Sequence, residues 1–243
     1  MTAEILCLIP AKAASTRLKR KNVARLNGYS LLELAIRSAQ RADYSMDIVV
    51  STEDADIADE AKQHGAEVPF MRPETLARDP AGVVDVCMHA LDSLAAMGRV
   101  YTTLMVLLPT SPFRDAGDIN AAMERYKSDN SDKRFLMSVG GYSHPPLAAL
   151  DLQPSGDMSP MFPEFLAGLG AKQGMVKMPE KLVRANGAIT ILDIDKFRQV
   201  GDYYSESMIG FEMSWIKSVD VDTEMDLLWA QFLIEKGLVS LDA

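Results

Sequence analysis

Five basic side chains, Lys12, Arg17, Lys19, Arg20 and Lys21, crowd the first part of the stretch IPAKAASTRLKRKNVARLNG (9–28), ahead of Arg25, in a chain whose formal net charge is −9. The small residues Ala13, Ala14 and Ser15 beside them let backbone N–H groups approach an anion, and Arg17 and Lys21 can neutralise phosphate charge. The Gly-Lys-Ser/Thr ending of a Walker A loop is missing. A solvated basic loop is the plain alternative, since charge runs usually are that. Near the other end, SVDVDTEMDL (218–227) sets Asp220 and Asp222 two residues apart. On an extended segment both carboxylates point to one face and can share a hard cation. Mg²⁺ held by one or two carboxylates plus substrate phosphates is the usual arrangement in chemistry on nucleoside triphosphates. Asp222 is equally placed to cap a helix beginning near Thr223, with Glu224 and Asp226 favouring its positive end. If the cationic loop and the carboxylate pair meet at one sheet edge, they form a site for a magnesium nucleotide.

The elements that would bring them together alternate from the start. EILCLIP (4–10) is an apolar run ending at the basic loop, and SLLELAIRSAQRA (30–42) follows at helical spacing. DIVVST (47–52) repeats the strand signal, and DADIADEAKQHG (54–65) reads as a helix closed by Gly65. GVVDVCMHALDSLAAMG (82–98) reads as a helix and TLMVLLP (103–109) as a strand apolar on both faces. A helix near 115–128 and the strand FLMSVGG (135–141) come next. Runs buried on both faces and separated by helices predict an α/β fold with a doubly wound, mostly parallel, Rossmann-like sheet. The basic loop then lies where such sheets bind ligands, outside the carboxyl ends of the strands. From 142 to 180 the periodicity fails and prolines gather, as in a functional excursion or small arm. Regularity returns with GAITILD (187–193), MSWIKSVDVD (213–222) and a final helix from about Glu224 to Lys236.

An acidic chain repels a nucleic-acid backbone except where basic charge is gathered, so no nucleic-acid partner is expected. No apolar run reaches the ~18 residues of a membrane span, and Ile5–Ala11 does not read as a signal peptide. Cys7 and Cys87 lack metal-ligand spacing and read as reduced core thiols in a cytoplasmic protein. His64 reads as a surface residue at a helix end and His89 as a packed helical histidine; His144 is kept as a weak sugar-pocket candidate. Fifteen methionines are simplest as core and interface filler.

IPAKAASTRLKRKN, VVSTEDADIADEAKQHGAEVPFMRP, LLPTSPFRDAGDI, NGAITI and SVDVDTEMDL together resemble the acylneuraminate cytidylyltransferase family, in its order and spacing over nearly the whole chain. The ASTRL of the opening loop is also similar to Kdo cytidylyltransferases, whereas Lys21-Asn22 and the later motifs favour the sialic-acid branch. The resemblance implies one nucleotidyltransferase domain over 1–243 with a nucleotide-diphospho-sugar transferase-like fold. It implies catalytic roles for Lys21, Arg17 and Asp222, and nucleotide binding by Lys12, Ala13, Ser15, Arg17, Lys21, Asn22 and Arg72, with Arg72 near the base. Thr110, Ser111, Arg114 and Asn186 would border the sugar, and Asp220 and Asp222 would hold Mg²⁺, or Mn²⁺ in its place. The 142–180 segment would be an arm for a homodimer, or a tetramer.

The implied reaction transfers CMP from CTP to the anomeric hydroxyl of a nonulosonic 2-keto sugar acid, releasing pyrophosphate. The same chemistry on Kdo or with another nucleotide stays open, as does a diverged nucleotide-binding regulator without turnover. Four departures bear on that choice. Lys12-Ala13-Ala14-Ser15 replaces Arg-Gly-Gly-Ser, which narrows backbone freedom and removes bidentate phosphate recognition. Asp79 to Val83 lacks the small hydroxyl residues expected to face the base. Leu108 replaces a glutamine and KLVRA a tyrosine-rich run, so a less polar sugar is expected.

Overall fold

The computed structural model describes residues 4–131, 134–144, 146–166, 181–204 and 206–241. They form two compact units, Met1–Val139 with Ala185–Ala243, and Gly140–Arg184.

The first unit is built on a six-stranded sheet. In chain order its elements begin with β1 (Ile5–Pro10), a short ribbon of β2 (Arg25–Leu26) and β3 (Tyr29–Ser30), α1 (Leu31–Gln40), β4 (Met46–Ser51) and α2 (Ala55–Gln63). Then come α3 (Val83–Ala96), β5 (Thr103–Val106), α4 (Ala116–Ser128) and β6 (Phe135–Gly141). Within the second unit lie the hairpin β7 (Leu150–Leu152) and β8 (Met158–Pro160), and α5 (Pro163–Leu166). The chain closes with β9 (Val183–Asp193), α6 (Ile194–Val200), β10 (Ile209–Glu212) and α7 (Glu224–Glu235).

The strand order is β10-β6-β9-β5-β1-β4. β1 pairs parallel with both β4 and β5, β10 pairs parallel with β6, and β9 runs antiparallel to β5. A strand buried on both faces feeds two cores, and β1 does so residue by residue. Ile5, Cys7 and Ile9 join the core under α1, α2 and α4, with Leu32, Ile36, Ile57 and Ile119. Leu6 and Leu8 join the core under α3 and α6, with Leu91, Leu94 and Phe197. The helices are placed by their caps: Ser30 accepts from the Glu33 N–H, Asp54 from Ile57, and Asp115 and Thr223 begin capping boxes with Asp118 and Asp226.

A third apolar cluster sits beside the sheet. Leu26 and Leu31, at the exit of the basic loop, pack with Phe113, with Val219 and Val221, and with Ala230 and Leu233 of α7. It clamps both ends of the sequence into register, and this is what places the Asp220–Asp222 segment near the loop.

The sequence expectation for 213–222 needs adjustment. Ile216–Ser218 form a 3₁₀ turn, the strand lies earlier at Ile209–Glu212, and only Val219 to Asp222 run extended past Thr110. His64 is half-buried rather than on the surface, its Nδ1 3.6 Å from Glu33 Oε1, because α2 packs that end against α1. His89 packs edge-on against Phe70, with ring centroids 5.3 Å apart. Of the expected arm, 167–180 and Pro145 lie outside the described residues.

Candidate active site

β1 ends at Pro10, and the Ala11 N–H donates to Ser51 O at 3.0 Å, which ties the start of the basic loop to the end of β4. Beyond it a cavity of about 310 Å³ opens, lined among others by Lys12, Ser15, Lys21, Asn22, Arg72, Thr110, Asp220 and Asp222. Eight residues singled out from sequence thus meet on one wall system, although they span the chain from position 12 to 222.

The loop is held in shape by its neighbours. Asn22, 5 % exposed, donates from Nδ2 to Lys12 O at 2.8 Å. Glu53 Oε1 accepts from the Ala13 N–H at 2.8 Å. Ala13 therefore does not present its N–H to the cavity. With Ala14, Lys19 and Arg20 it lines a separate depression beside Glu53 and Asp54. Arg20 reaches Asp54 and Asp56 at 3.4 Å. The five cations are sorted: Lys12 and Lys21 face the cavity, Arg17 stands with Lys21 on Asp222, and Lys19 and Arg20 face elsewhere.

Asp222 is the meeting point. Its Oδ1 accepts from Lys21 Nζ at 2.5 Å and its Oδ2 from Arg17 Nη2 at 2.6 Å. Burial alone would raise this carboxyl, but the hydrogen bond and charge of Lys21, reinforced by Arg17, hold it below the ordinary carboxylate range. Alternation of the extended segment sends Val219 and Val221 into the third apolar cluster and Asp220 and Asp222 to the cavity. The Val221 N–H donates to Thr110 O at 2.8 Å and fixes the register. The cap of α7 is Thr223, whose Oγ1 accepts from the Asp226 N–H, so Asp222 is left to the cavity.

The remaining expected sugar-site residues separate. Thr110 lines the cavity. Ser111 is 1 % exposed and Arg114 3 % exposed, and neither lines the cavity. The Arg114 guanidinium donates to Leu108 O at 3.1 Å, Ala188 O at 2.9 Å and Ser38 Oγ at 3.3 Å. Burial pushes Arg114 down to about 10, which still leaves it protonated at neutral pH. Asn186 is held on both sides: its Oδ1 accepts from Ser138 Oγ at 2.5 Å and the Ala188 N–H at 3.1 Å, and its Nδ2 donates to Ser218 Oγ at 3.0 Å. These residues tie β9 to its surroundings beneath the site.

A second cavity of about 230 Å³ shares Val83, Leu108 and Asp220 with the first. Val106, Met137, Asn186, Gly187, Thr190, Tyr203 and Tyr204 complete much of its wall. Gly187 is needed here, because at φ +73° a Cβ would meet Leu108 Cδ1 at 3.0 Å. Tyr203 and Tyr204 escape sequence reasoning, since no motif marks them; so does Glu53, whose signal was a lone acid in the turn after an apolar strand. The chemistry of the donor set suits a hard cation shared with a substrate. Among the described residues no group of three or more His, Cys, Asp or Glu is gathered for a metal. Two carboxylates on one cavity wall would leave the other ligand positions to phosphate oxygens and water.

A basic strand-to-helix loop facing a carboxylate pair at the edge of a doubly wound sheet suits a nucleotidyltransferase. Residues 6–220 match the Cytidylyltransferase family, and the chain belongs to it. Among its relatives is the CMP-N,N'-diacetyllegionaminic acid synthase of Legionella pneumophila, 31% identical over 232 residues, 95% of this chain and 96% of that protein. The pseudaminic acid cytidylyltransferase of Campylobacter jejuni is 29% identical over 140 residues, 58% of this chain and 60% of its own. The fold matches a CMP:2-keto-3-deoxy-manno-octonic acid synthetase complexed with CTP, with TM-score 0.70 and 14% identity, covering 97% of this chain and 100% of that one. Among the described residues no helix is long and apolar enough to cross a membrane.

Proposed function

We propose that the protein transfers the cytidylyl group of CTP to the anomeric hydroxyl of a nonulosonic 2-keto sugar acid and releases pyrophosphate. One observation carries this reading: Lys21 and the Asp220–Asp222 pair line one cavity with Arg72 and Asn22, and Arg17 joins Lys21 on Asp222. The likeness to a legionaminic acid synthase over nearly the full length of both chains supports the choice of acceptor.

The hydroxyl oxygen of the acceptor attacks the α-phosphorus, the bond to the bridging oxygen of the β-phosphate breaks, and pyrophosphate carries away the electron pair. The hydroxyl proton passes to solvent. Most of the protein's work is alignment and charge compensation. Lys21 and Arg17 bind the leaving phosphates, exchanging the Asp222 carboxylate for phosphate oxygens. Asp220 and Asp222 are the residues that would hold Mg²⁺ or Mn²⁺, which when bound would supply Lewis-acid polarisation of the α-phosphate. Asn22 holds Lys12 in place, and Thr110 holds the aspartate segment through its carbonyl.

The second cavity receives the sugar acid. Val83, Val106, Leu108 and Met137 give it apolar walls. A hydroxyl pressed against them loses water without gaining a partner, which costs about 1–3 kcal/mol. This favours an acceptor carrying alkyl or acyl groups where others carry hydroxyls. The Gly140–Arg184 unit serves as the dimerisation arm; its hairpin exposes Leu150, Leu152 and Met158 at 53%, 65% and 65%. Such a concentration of apolar surface suits a protein interface.

The test is pyrophosphate release from CTP, UTP, GTP and ATP with Mg²⁺ against sialic, legionaminic, pseudaminic and Kdo acids. Release confined to CTP with a nonulosonic acid is expected. CTP binding with silence across the acceptors would favour a regulator without turnover.

A further inference from the structure

We infer that Glu53 is a positioning residue that withdraws Arg72 from phosphate binding and fixes it as a reader of the nucleobase. The inference rests on the cytidylyl reading above and deepens it.

A carboxylate behind a loop that takes a polyanion is at first sight misplaced. Glu53 Oε2 accepts from Arg72 Nη2 at 2.5 Å while its Oε1 holds the Ala13 N–H, so one side chain joins the loop to the far wall of the cavity. Both partners are enclosed, with side chains 11% and 2% exposed. Burial would raise the Glu53 carboxyl, but the Arg72 hydrogen bond and the Ala13 N–H hold it below the ordinary range, so it is ionised at neutral pH. The Arg72 backbone is pinned as well, its N–H donating to Thr52 O at 2.9 Å.

Two consequences follow from this pairing. The positive charge of Arg72 is offset at its source, so a triphosphate in the cavity meets a fixed dipole there and finds its cations at Lys12, Lys21 and Arg17. The guanidinium gives Nη2 to Glu53 and carries further N–H donors, on a residue that lines the cavity. A held, donor-only plane matches adjacent acceptors. Cytosine offers O2 and N3 as neighbouring acceptors, whereas uracil carries a hydrogen on N3. A guanidinium kept in one orientation by Glu53 therefore distinguishes the two, and one free to turn toward phosphate would not.

The experiment is calorimetric titration with CTP, UTP and inorganic tripolyphosphate, each with Mg²⁺, of wild type, Glu53→Gln, Arg72→Met and the double variant. In Glu53→Gln, CTP affinity and the CTP-to-UTP preference should each fall about tenfold, with tripolyphosphate affinity unchanged within about twofold. The double variant should be no worse than Arg72→Met. Equal losses for CTP and tripolyphosphate, additive effects, or a Glu53→Gln protein indistinguishable from wild type would each overturn the assignment. Should Glu53→Gln not fold, Glu53→Asp, which keeps the charge and shortens its reach to Arg72, carries the test: a reduced CTP-to-UTP preference with intact tripolyphosphate binding supports the assignment, and a wild-type preference overturns it. Wild type that binds tripolyphosphate but not CTP would sink the cytidylyl reading itself, and with it the base-reading role.

Discussion

In the Lys12–Lys21 loop the cations meet carboxylates at the cavity: Lys21 and Arg17 close on Asp222 at 2.5 and 2.6 Å, in positions that phosphate oxygens can take over. In the Thr110–Arg114 segment the guanidinium turns the other way, into the backbone carbonyls of Leu108 and Ala188, with 3% of the residue exposed. The first set of bonds stands at the wall of a cavity, and the second is enclosed in the protein. A polar residue inside a recognisable motif can thus serve either the ligand or the scaffold, and how far its present partner is enclosed separates the two: Asp222 stands at the cavity wall, whereas Glu53 behind Arg72 and the carbonyls around Arg114 are shut in. A carboxylate open to the cavity can be displaced by a ligand, whereas a buried carbonyl has no water to take the place of a lost donor.

Substitutions can sharpen or break this distinction. Asp222→Ala should fold and lose turnover by about three orders of magnitude or more, since alignment and charge compensation both depend on it; near-normal rates in a folded variant would remove Asp222 from the chemistry. Lys21→Ala should lower kcat/KM about a hundredfold while its melting temperature stays within a few degrees. Arg114→Met should reverse the pattern, losing about 2–4 kcal/mol in denaturant unfolding because the acceptors Ala188 O, Leu108 O and Ser38 Oγ each lose a hydrogen bond from the buried guanidinium. The KM values of the folded Arg114→Met fraction should stay near wild type, and a selective rise in the acceptor KM would return Arg114 to the sugar site.

The acid limb gives a smaller effect. Asp222 and Glu53 are held below their ordinary values in the folded state, so their contribution is present above the unfolded carboxylate range and lost as pH falls through the folded values. Thermal stability should be flat between pH 7 and about 5 and should decline below about pH 4. Glu53→Gln should shallow that decline, and an unchanged slope would show that the Glu53 pair contributes nothing to acid stability. Least of all should come from Lys19→Ala, which faces away from the cavity and should change kcat/KM by less than about twofold. Equality with Lys21→Ala would mean that the loop acts only as diffuse surface charge.

The sheet was legible where burial wrote it plainly. ILCLIP carries two cores on alternate residues, and α2 is announced by Asp54 at its start and Gly65 at its end. The β2–β3 ribbon hides behind the charge of its neighbourhood, although Asn27-Gly28 is a hairpin signal. β10 is a four-residue edge strand containing Gly210, too short to show a period. At the site, the convergence of Lys21, Asp220 and Asp222 followed from type and spacing. The partners of Arg72, Arg114 and Asn186 did not, because Glu53, Ala188 and Ser138 reach them only through packing between distant segments.

Cys7 and Cys87 lie at 0% exposure in the two cores, and burial pushes both thiols up to about 12. With no other cysteine in the chain, the native protein is blank to thiol-directed reagents. A single cysteine placed on the exposed β7–β8 hairpin would then be the one site to accept a spin label or fluorophore. Such a label would report the surroundings of that hairpin in solution, with no background thiol to remove first.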